Sequence, residues 1–245
     1  MRKSILWMCM IGVTLFMTSC LKEGTRDYTD ASITYIAQDN SSGVVYGRTL
    51  TGRLITSDAM QLMFPGSFQF LRYSWTEEYG TKLIENIQVD NVMITGDPVE
   101  ISRVALRMNQ EPPVVETPLK FVAIDQPVFA ADHIYLGDHW LFQYAYEAKK
   151  GETPVVNFYY KDDEEAPENE ITIDVVLSIT GEPDAGSSTT TKTEILALNM
   201  SQLRAAFEGS SATTTKDLKI TFQYYLKGRD QIVESQEYLL KVKGD

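Results

Sequence analysis

The chain has 245 residues, with 34 acidic and 22 basic side chains and a formal charge of −12. Its 43% hydrophobic and 23% charged residues are typical of a folded protein of one or two domains and not of a disordered chain. The acidic balance argues against nucleic-acid binding, which depends on clustered Lys and Arg. Only two His and two Cys are present, and this excludes most metal and thiol chemistry.

Residues 1–19 have the organisation of an export signal. Two basic residues precede the apolar run from Ile5 to Met17, which is shorter than the roughly 20 apolar residues that a membrane-spanning helix needs. Thr18 and Ser19 lead directly into Cys20, an ending that resembles a bacterial lipobox. The resemblance implies cleavage before Cys20 and lipid on its thiol. The alternative is a signal peptide that is cleaved nearby and carries no lipid.

Lipid on Cys20 would place the mature protein on a membrane. Each buried methylene contributes about 0.8 kcal/mol, so two or more acyl chains such as palmitate hold a protein there permanently. Leu21 follows the cysteine in place of the aspartate that retains lipoproteins in the inner membrane. We therefore expect an outer-membrane anchor, facing either the periplasm or the cell surface, with residues 20–32 as a flexible tether.

From Ile33 onward, apolar and polar residues alternate with a period of two, which is typical of strands with one face on a core. The clearest alternation runs over Ile171–Ile179. Residues 199–209 instead combine helix formers with a terminal glycine and predict about two turns of helix. Further strands are predicted over Val44–Thr56, Gln61–Phe64, Phe68–Trp75, Lys82–Ile94, Ile101–Met108, Trp140–Tyr146, Val155–Tyr160, Glu194–Leu198, Lys219–Tyr224 and Glu234–Val242.

The best internal boundary is the segment 110–118, which contains three prolines. Proline cannot donate to a strand ladder and stiffens the backbone into an extended linker. The sequence therefore predicts an all-β chain with two domains. Residues 33–112 are expected to form a small OB-like β-barrel, and residues 113–245 an antiparallel β-sandwich that includes the short helix.

These features together resemble the NigD-like lipoproteins of Bacteroidetes. The resemblance covers nearly the whole mature chain and implies the two β-domains and an envelope location. It implies no particular activity, because the family has no settled biochemical role. The residues that carry it are soft patterns of apolar and turn residues at Leu50–Leu54, Thr56–Asp58, Asn86–Val92, His139–Tyr144 and Ile195–Phe207.

Few residues are candidates for catalysis or metal binding. A nucleophile and base pair needs a histidine beside a Ser or Cys, and the only histidines are His133 and His139. With nearby carboxylates they could ligate a metal, but a spacing of six residues across a turn fixes no ligand geometry. The acidic run Asp162–Glu165 lacks the alternating ligands of a calcium loop. We therefore predict no cofactor, no metal and no enzymatic activity.

Aromatic residues give the strongest indication of binding. Tyr159 precedes Tyr160 on one predicted strand, and Tyr225 follows Tyr224 on another. Tyr160 and Tyr224 are expected to face the core, so alternation sends the rings of Tyr159 and Tyr225 to the outer face of the sheet. Trp75 belongs to an aromatic cluster before an acidic turn. These three rings are the predicted binding surface, for a glycan or a protein. The alternative is that they serve only strand propensity.

The sequence thus favours a non-catalytic outer-membrane lipoprotein with a binding or assembly role in the cell envelope. A first alternative is a glycan-binding surface lipoprotein of a polysaccharide-utilisation system. A second is a pilus subunit of the fimbrillin type, which would need an arginine-directed cleavage loop. Arg48 and Arg53 lie in strand-like sequence, and this argues against the pilus subunit.

Overall fold

Strands dominate the chain, as the sequence predicts. The computed structural model describes residues 27–84, 86–131, 133–162, 167–210 and 214–244. Sixteen strands and one short α-helix lie in these ranges, and the all-β prediction is confirmed. The signal peptide and Cys20 lie outside the described residues.

The chain divides into two units, and the division differs from the predicted boundary at residue 112. Of the described residues, those within 27–65 and 70–98 form the first unit, and those within 66–69 and 99–244 form the second. The strand over Val99–Met108 belongs to the second unit because it pairs there with two later strands. Three prolines made the segment 110–118 conspicuous in the sequence, but strand pairing determines where the units separate.

The first unit contains seven strands and one turn of 3₁₀-helix over Ala59–Leu62. The strand predicted at Gln61–Phe64 is therefore wrong, and Met60 of this turn enters the core instead. The predicted tether is also too long, because β1 begins at Tyr28. The strands are β1 Tyr28–Gln38, β2 Val45–Thr49, β3 Leu54–Thr56, β4 Phe68–Trp75, β5 Thr81–Ile84, β6 Ile87–Asn91 and β7 Met93–Ile94. Residues 68–69 at the start of β4 belong to the second unit.

The strand pairings of the first unit link its strands in one path. β2 lies between β1 and β3, β3 pairs in parallel with β6, and β4 neighbours β1. Only Val92 separates β6 from β7, and β7 pairs with β4. The β6–β7 segment thus pairs with both β3 and β4, and the sheet is not closed.

A glycine allows the core of the first unit to pack closely. Gly47 lies in β2 opposite Ile55, and a Cβ built on it would come within 2.4 Å of the Thr34 methyl group and 2.9 Å of the Met60 terminal methyl group. Thr34, Ile55 and Met60 are all fully buried. The position therefore requires glycine for space, without any unusual backbone angle.

The second unit contains the remaining strands and helix α1. The sequence predicts a helix over residues 199–209, and α1 occupies the centre of that range. The elements are β8 Val99–Met108, β9 Ala123–Ile124, β10 His139–Ala148, β11 Thr153–Tyr160, β12 Glu170–Thr180, β13 Thr190–Asn199, α1 Ser201–Phe207, β14 Thr215–Tyr224, β15 Val233–Glu234 and β16 Tyr238–Lys243.

The sheets of the second unit are mixed and not antiparallel throughout, which corrects the prediction. Residues 102–105 of β8 pair in parallel with β13, and residues 106–108 pair in parallel with β11. β12 and β14 also run parallel. Parallel neighbours need long connections, and here β13 and α1 connect β12 to β14. The sequence revealed the strands, but it did not reveal which of them become neighbours.

The core of the second unit lies where the alternation placed it. Ile171, Ile173, Val175 and Leu177 of β12 are all buried, as the period of two predicts. They pack in one cluster with aromatic rings from other strands, in which Phe142 lies 4.9 Å from Phe222 in an edge-to-face contact. Burying such side chains contributes about 1.5–3 kcal/mol each to folding.

Candidate functional site

Two predicted features lie wholly or partly outside the described residues. Cys20 is one, so the structure gives no geometry for the lipid anchor. The acidic run is the other, since only Asp162 of it is described. The Asp162 carboxylate accepts a hydrogen bond from the Tyr160 hydroxyl at 3.2 Å. Burial and the Asp162 charge raise the pKa of Tyr160 to about 12.

Tyr159 is buried, which corrects the prediction that its ring is exposed. Its side chain does face away from buried Phe158 and Tyr160, but only 6% of the residue reaches solvent. The Arg107 guanidinium lies 5.1 Å from the ring centroid, and Arg107 is directly opposite Tyr159 on β8. Alternation along a strand tells which face a ring takes, but not whether other groups cover that face.

Tyr225 is half-buried and follows the last residue of β14. Its carbonyl oxygen accepts a hydrogen bond from the Phe121 amide at 2.9 Å, so the backbone here pairs with a segment from before β9. The outward facing of the Tyr225 ring stays a prediction. Trp75 belongs to the first unit, whereas Tyr159 and Tyr225 belong to the second.

Trp75 lies in an arrangement that we call the aromatic stack, formed by Arg53, Tyr28 and Trp75. The indole of Trp75 is stacked on the Tyr28 ring at 5.6 Å with an angle of 17° between the ring planes. The Arg53 guanidinium lies 3.9 Å from the centroid of the Tyr28 ring. Trp75 Nε1 donates to the Gly80 carbonyl at 3.0 Å and fixes the indole. Tyr28 and Trp75 are half-buried, and Arg53 is exposed.

Two carboxylates border the aromatic stack, and tyrosine hydroxyls hold both. Tyr28 donates to Asp90 Oδ2 at 2.6 Å, and Tyr73 donates to Asp30 Oδ2 at 3.1 Å. Burial and the hydrogen bond to Asp90 raise the pKa of Tyr28 well above its usual value. Burial and the Asp30 charge raise the pKa of Tyr73 to about 12. Both phenols therefore stay protonated and both carboxylates have a fixed donor at neutral pH.

The two histidines line one cavity of the second unit, which we call the histidine cavity. It has a volume of about 230 Å³ and is bounded by the 129–131 segment, by the turn that precedes β10, by α1 and by β16. His133 is exposed, whereas His139 is buried and its Nδ1 lies 3.1 Å from the Leu136 carbonyl oxygen. Phe129 and Trp140 stack at 4.2 Å to form one wall.

The carboxylate and arginine of the histidine cavity are bound to each other. Arg204 Nε and Nη2 donate to the two oxygens of Asp138 at 2.8 and 3.0 Å. Arg204 Nη1 also donates to the Lys241 carbonyl oxygen. The two side chains are only 11% and 10% exposed. Because Asp138 is committed to this ion pair, it is poorly placed to ligate a metal together with the histidines.

The described ranges contain no group of three or more His, Cys, Asp or Glu side chains that could hold a metal ion. Burial lowers the pKa of His139, and the positive charge of Arg103 acts in the same direction. His139 is therefore neutral at pH 7, and its ring packs edge-to-face against Phe68 at 5.2 Å. The contacts of His139 are those of a buried structural histidine.

The sequence did not reveal three of the residues that form these sites. Tyr28 lies in the segment predicted as tether, and its partner Asp90 is 62 positions away. Arg204 lies within the predicted helix, and its ion pair is with a residue 66 positions away. Each is defined by a pairing over a long sequence separation, and no local pattern signals such a pairing. The only local sign in the sequence is that Tyr28 and Asp30 alternate with smaller residues, as in a strand.

Comparison with known proteins defines the fold but not the function. No protein-family model matches the chain, and no curated protein matches it significantly. Solved structures do match. A candidate lipoprotein from Bacteroides fragilis shares 12% identity at a TM-score of 0.57, over 88% of this chain and 98% of that one. A Parabacteroides merdae protein shares 7% identity at a TM-score of 0.55, over 88% and 100% of the two chains.

The matching structures also include a NigD-like immunity protein from Bacteroides caccae. It shares 12% identity at a TM-score of 0.49, over 91% of this chain and 99% of that one. At such identities the first two matches show the fold alone. The chain thus has the all-β fold of Bacteroides and Parabacteroides proteins of similar length. No helix within its described ranges has the length and hydropathy needed to cross a membrane.

Proposed function

We propose that the chain is a non-catalytic lipoprotein of the bacterial cell envelope, anchored in the outer membrane by lipid on Cys20, and that it acts by binding. The Thr18-Ser19-Cys20 ending supports the anchor. The fold shared with a candidate lipoprotein from Bacteroides fragilis is consistent with this location. Leu21 in place of aspartate favours the outer membrane.

The aromatic stack is the proposed binding surface, and a glycan is the proposed ligand. The observation that carries this proposal is the stacking of half-buried Trp75 on Tyr28 beside the Asp90 carboxylate. Sugar rings present C–H faces that pack on aromatic rings, and their hydroxyls donate to carboxylates. An apolar surface with a few placed polar groups is the usual composition of a ligand site.

The groups of the aromatic stack are ordered before any ligand arrives. Arg53 and Trp75 both contact the Tyr28 ring, and Asp90 accepts a hydrogen bond from the Tyr28 hydroxyl. Trp75 is further held by Gly80. Ordering a large side chain on binding costs about 0.5–1.5 kcal/mol. A surface already fixed in this way avoids that cost, which favours a binding role over mere strand propensity.

The experiment is retardation of the full-length lipidated protein, in detergent, on native gels cast with single polysaccharides of plant and host origin. The wild type should be retarded by at least one polysaccharide, and Trp75→Ala should remove the retardation. Tyr225→Ala is the matched control, because it truncates another half-buried aromatic residue in the other unit. This control should be retarded like the wild type.

Two results would contradict glycan binding at the stack. One is full retardation of Trp75→Ala together with loss in Tyr225→Ala, which would move the surface to the second unit. The other is no retardation by any polysaccharide, which would favour a protein partner. The pilus alternative gains no support, since Arg48 lies within β2 and the Arg53 guanidinium is stacked on Tyr28.

A further inference from the structure

β16 is an edge strand with one pairing partner. Residues Tyr238–Lys243 pair with β14 in antiparallel fashion, and no other described strand pairs with β16. An unpaired edge carries a row of backbone donors and acceptors that another strand can use, and proteins usually cover such edges.

The cover on this edge extends over only part of β16. The Lys243 carbonyl oxygen accepts from the Gly209 amide at 3.0 Å, and the Lys241 carbonyl oxygen accepts from Arg204. Backbone groups of alternate residues point to the same side of an antiparallel strand. The backbone groups of Leu239 therefore also point away from β14. Neither the amide nor the carbonyl of Leu239 has a hydrogen-bond partner outside the strand ladders of the described chain.

The histidine cavity lies directly beside this open part of the edge. Leu239, Leu240 and Lys241 line it together with Phe129 and Trp140. Its volume of about 230 Å³ is below the roughly 300–1,000 Å³ of sites for drug-sized ligands. A single apolar side chain fits such a space better than an oligosaccharide does.

The exposed face of β16 is basic, although the chain as a whole is acidic. Lys241 and Lys243 are exposed on that face, on either side of buried Val242. Asp217 is opposite Lys241 on β14, and no ion pair joins them within the described ranges. Glu237 is already paired with Lys219 at 3.5 Å. An acidic side chain on a neighbouring strand would therefore find an attractive partner here.

We propose that the β16 edge binds an extended peptide of a partner protein by strand addition. The peptide backbone pairs with Leu239 and with the Lys241 amide, and one apolar side chain enters the histidine cavity. An acidic side chain of the peptide faces Lys241. Main-chain pairing gives such complexes their affinity, and the side-chain pocket gives them their specificity. This site is in the second unit and does not depend on the proposed glycan surface.

The test uses the full-length lipidated protein in detergent and a synthetic nine-residue peptide. In this peptide Glu alternates with Val around a central Phe that replaces one Val. Fluorescence anisotropy should show saturable binding. Two further peptides carry N-methyl groups, either on every Glu amide or on every Val and Phe amide. Only one set of amides faces β16 in a strand, so one methylated peptide should bind at least tenfold more weakly, while the other should bind nearly as the parent does.

Variants of the protein locate the site. Ala131→Trp adds a large side chain to the wall of the histidine cavity and should weaken peptide binding at least tenfold. Val128→Trp is the matched control, since Val128 is 51% exposed on the same segment and does not line the cavity. The control should bind like the wild type, and both variants should keep the wild-type circular dichroism.

Several results would overturn the proposal. These are no saturable binding of the alternating peptide, equal weakening by both methylated peptides, and unchanged binding by Ala131→Trp. Self-association of the protein that Ala131→Trp abolishes, without peptide binding, would assign the edge to a second copy of the chain instead.

Discussion

Arg204 and Asp138 form a bidentate ion pair that joins three parts of the second unit. Arg204 belongs to α1, Asp138 to the turn before β10, and the remaining Arg204 donor reaches the Lys241 carbonyl oxygen on β16. Asp138 is held in the left-handed backbone region at φ 61°, which a non-glycine residue seldom adopts. Its carbonyl oxygen also accepts from the Met200 amide at 2.9 Å. The ion pair therefore determines how α1 and the edge strand are anchored.

We expect Arg204→Ala to destabilise the second unit by about 3–5 kcal/mol, because it leaves a buried carboxylate without its partner. Trp140 is buried in the second unit and Trp75 lies in the first. In the Trp75→Phe background, Trp140 fluorescence therefore follows chemical denaturation of the second unit. In the Trp140→Phe background, Trp75 fluorescence follows the first unit. Lys150→Ala is the control, since its ion pair with Asp184 is exposed and such pairs contribute about 0–1 kcal/mol. Equal losses in the two variants would contradict the structural role of the buried pair.

A second prediction concerns pH. Burial lowers the pKa of His139, with Arg103 acting in the same direction and Asp138 opposing. The unfolded chain therefore binds a proton more readily than the folded chain does, and stability falls as pH drops below about 6.5. His139→Gln should reduce this loss between about pH 7 and pH 5, measured as the denaturation midpoint of the second unit.

The exposed His133 supplies the control for that experiment. His133→Gln should lose stability on acidification as the wild type does, because His133 is exposed. If His139→Gln and wild type lose stability in parallel on acidification, burial of His139 does not produce the effect.

A third prediction separates the two tyrosines that the sequence treated alike. Tyr159 is buried, so Tyr159→Ala should cost about 3 kcal/mol or more. Tyr225 is half-buried, and Tyr225→Ala should cost about 1 kcal/mol. The denaturation midpoint of the second unit measures both. A Tyr159→Ala protein as stable as Tyr225→Ala would show that the ring of Tyr159 is exposed after all.

A fourth prediction concerns Gly47. Its missing side chain makes room for Thr34 and Met60, so Gly47→Ala should destabilise the first unit by about 1–3 kcal/mol through overpacking. Gly96→Ala is the matched control in the same unit, because the nearest atom to a Cβ there is Arg72 Cδ at 3.7 Å. We expect this control to change stability by less than about 1 kcal/mol, with Trp75 fluorescence as the reporter. If Gly47→Ala and Gly96→Ala lowered the free energy of unfolding equally, crowding at Gly47 would be excluded as the cause.

The sequence predicted most reliably those features that a local pattern determines. The nine residues Ile171–Ile179 contain enough alternation to fix both strand and facing, and residues of this run are buried as expected. Gln61–Phe64 is too short for the same inference. There a 3₁₀ turn places Met60 in the core. Four residues are too few to distinguish the period of two of a strand from the period of three of a 3₁₀-helix.

Features that depend on distant partners could not be predicted. The aromatic stack needs Tyr28 and Trp75 side by side, and the buried ion pair joins residues 66 positions apart. The parallel pairing of β8 with both β11 and β13 likewise follows from how long connections are routed. Each of these contacts determines part of a candidate site. For this reason the sequence predicted the class of fold better than it predicted the sites.

The central claim is that lipid on Cys20 places this protein in the envelope, and mass spectrometry of the mature N-terminus tests it most directly. The wild-type protein, purified from membranes of its own host, should begin at Cys20 and carry the mass of at least two acyl chains. Cys20→Ala should lack that mass and leave the membrane fraction. A wild-type N-terminus at any other residue, or an unmodified Cys20, would contradict the claim.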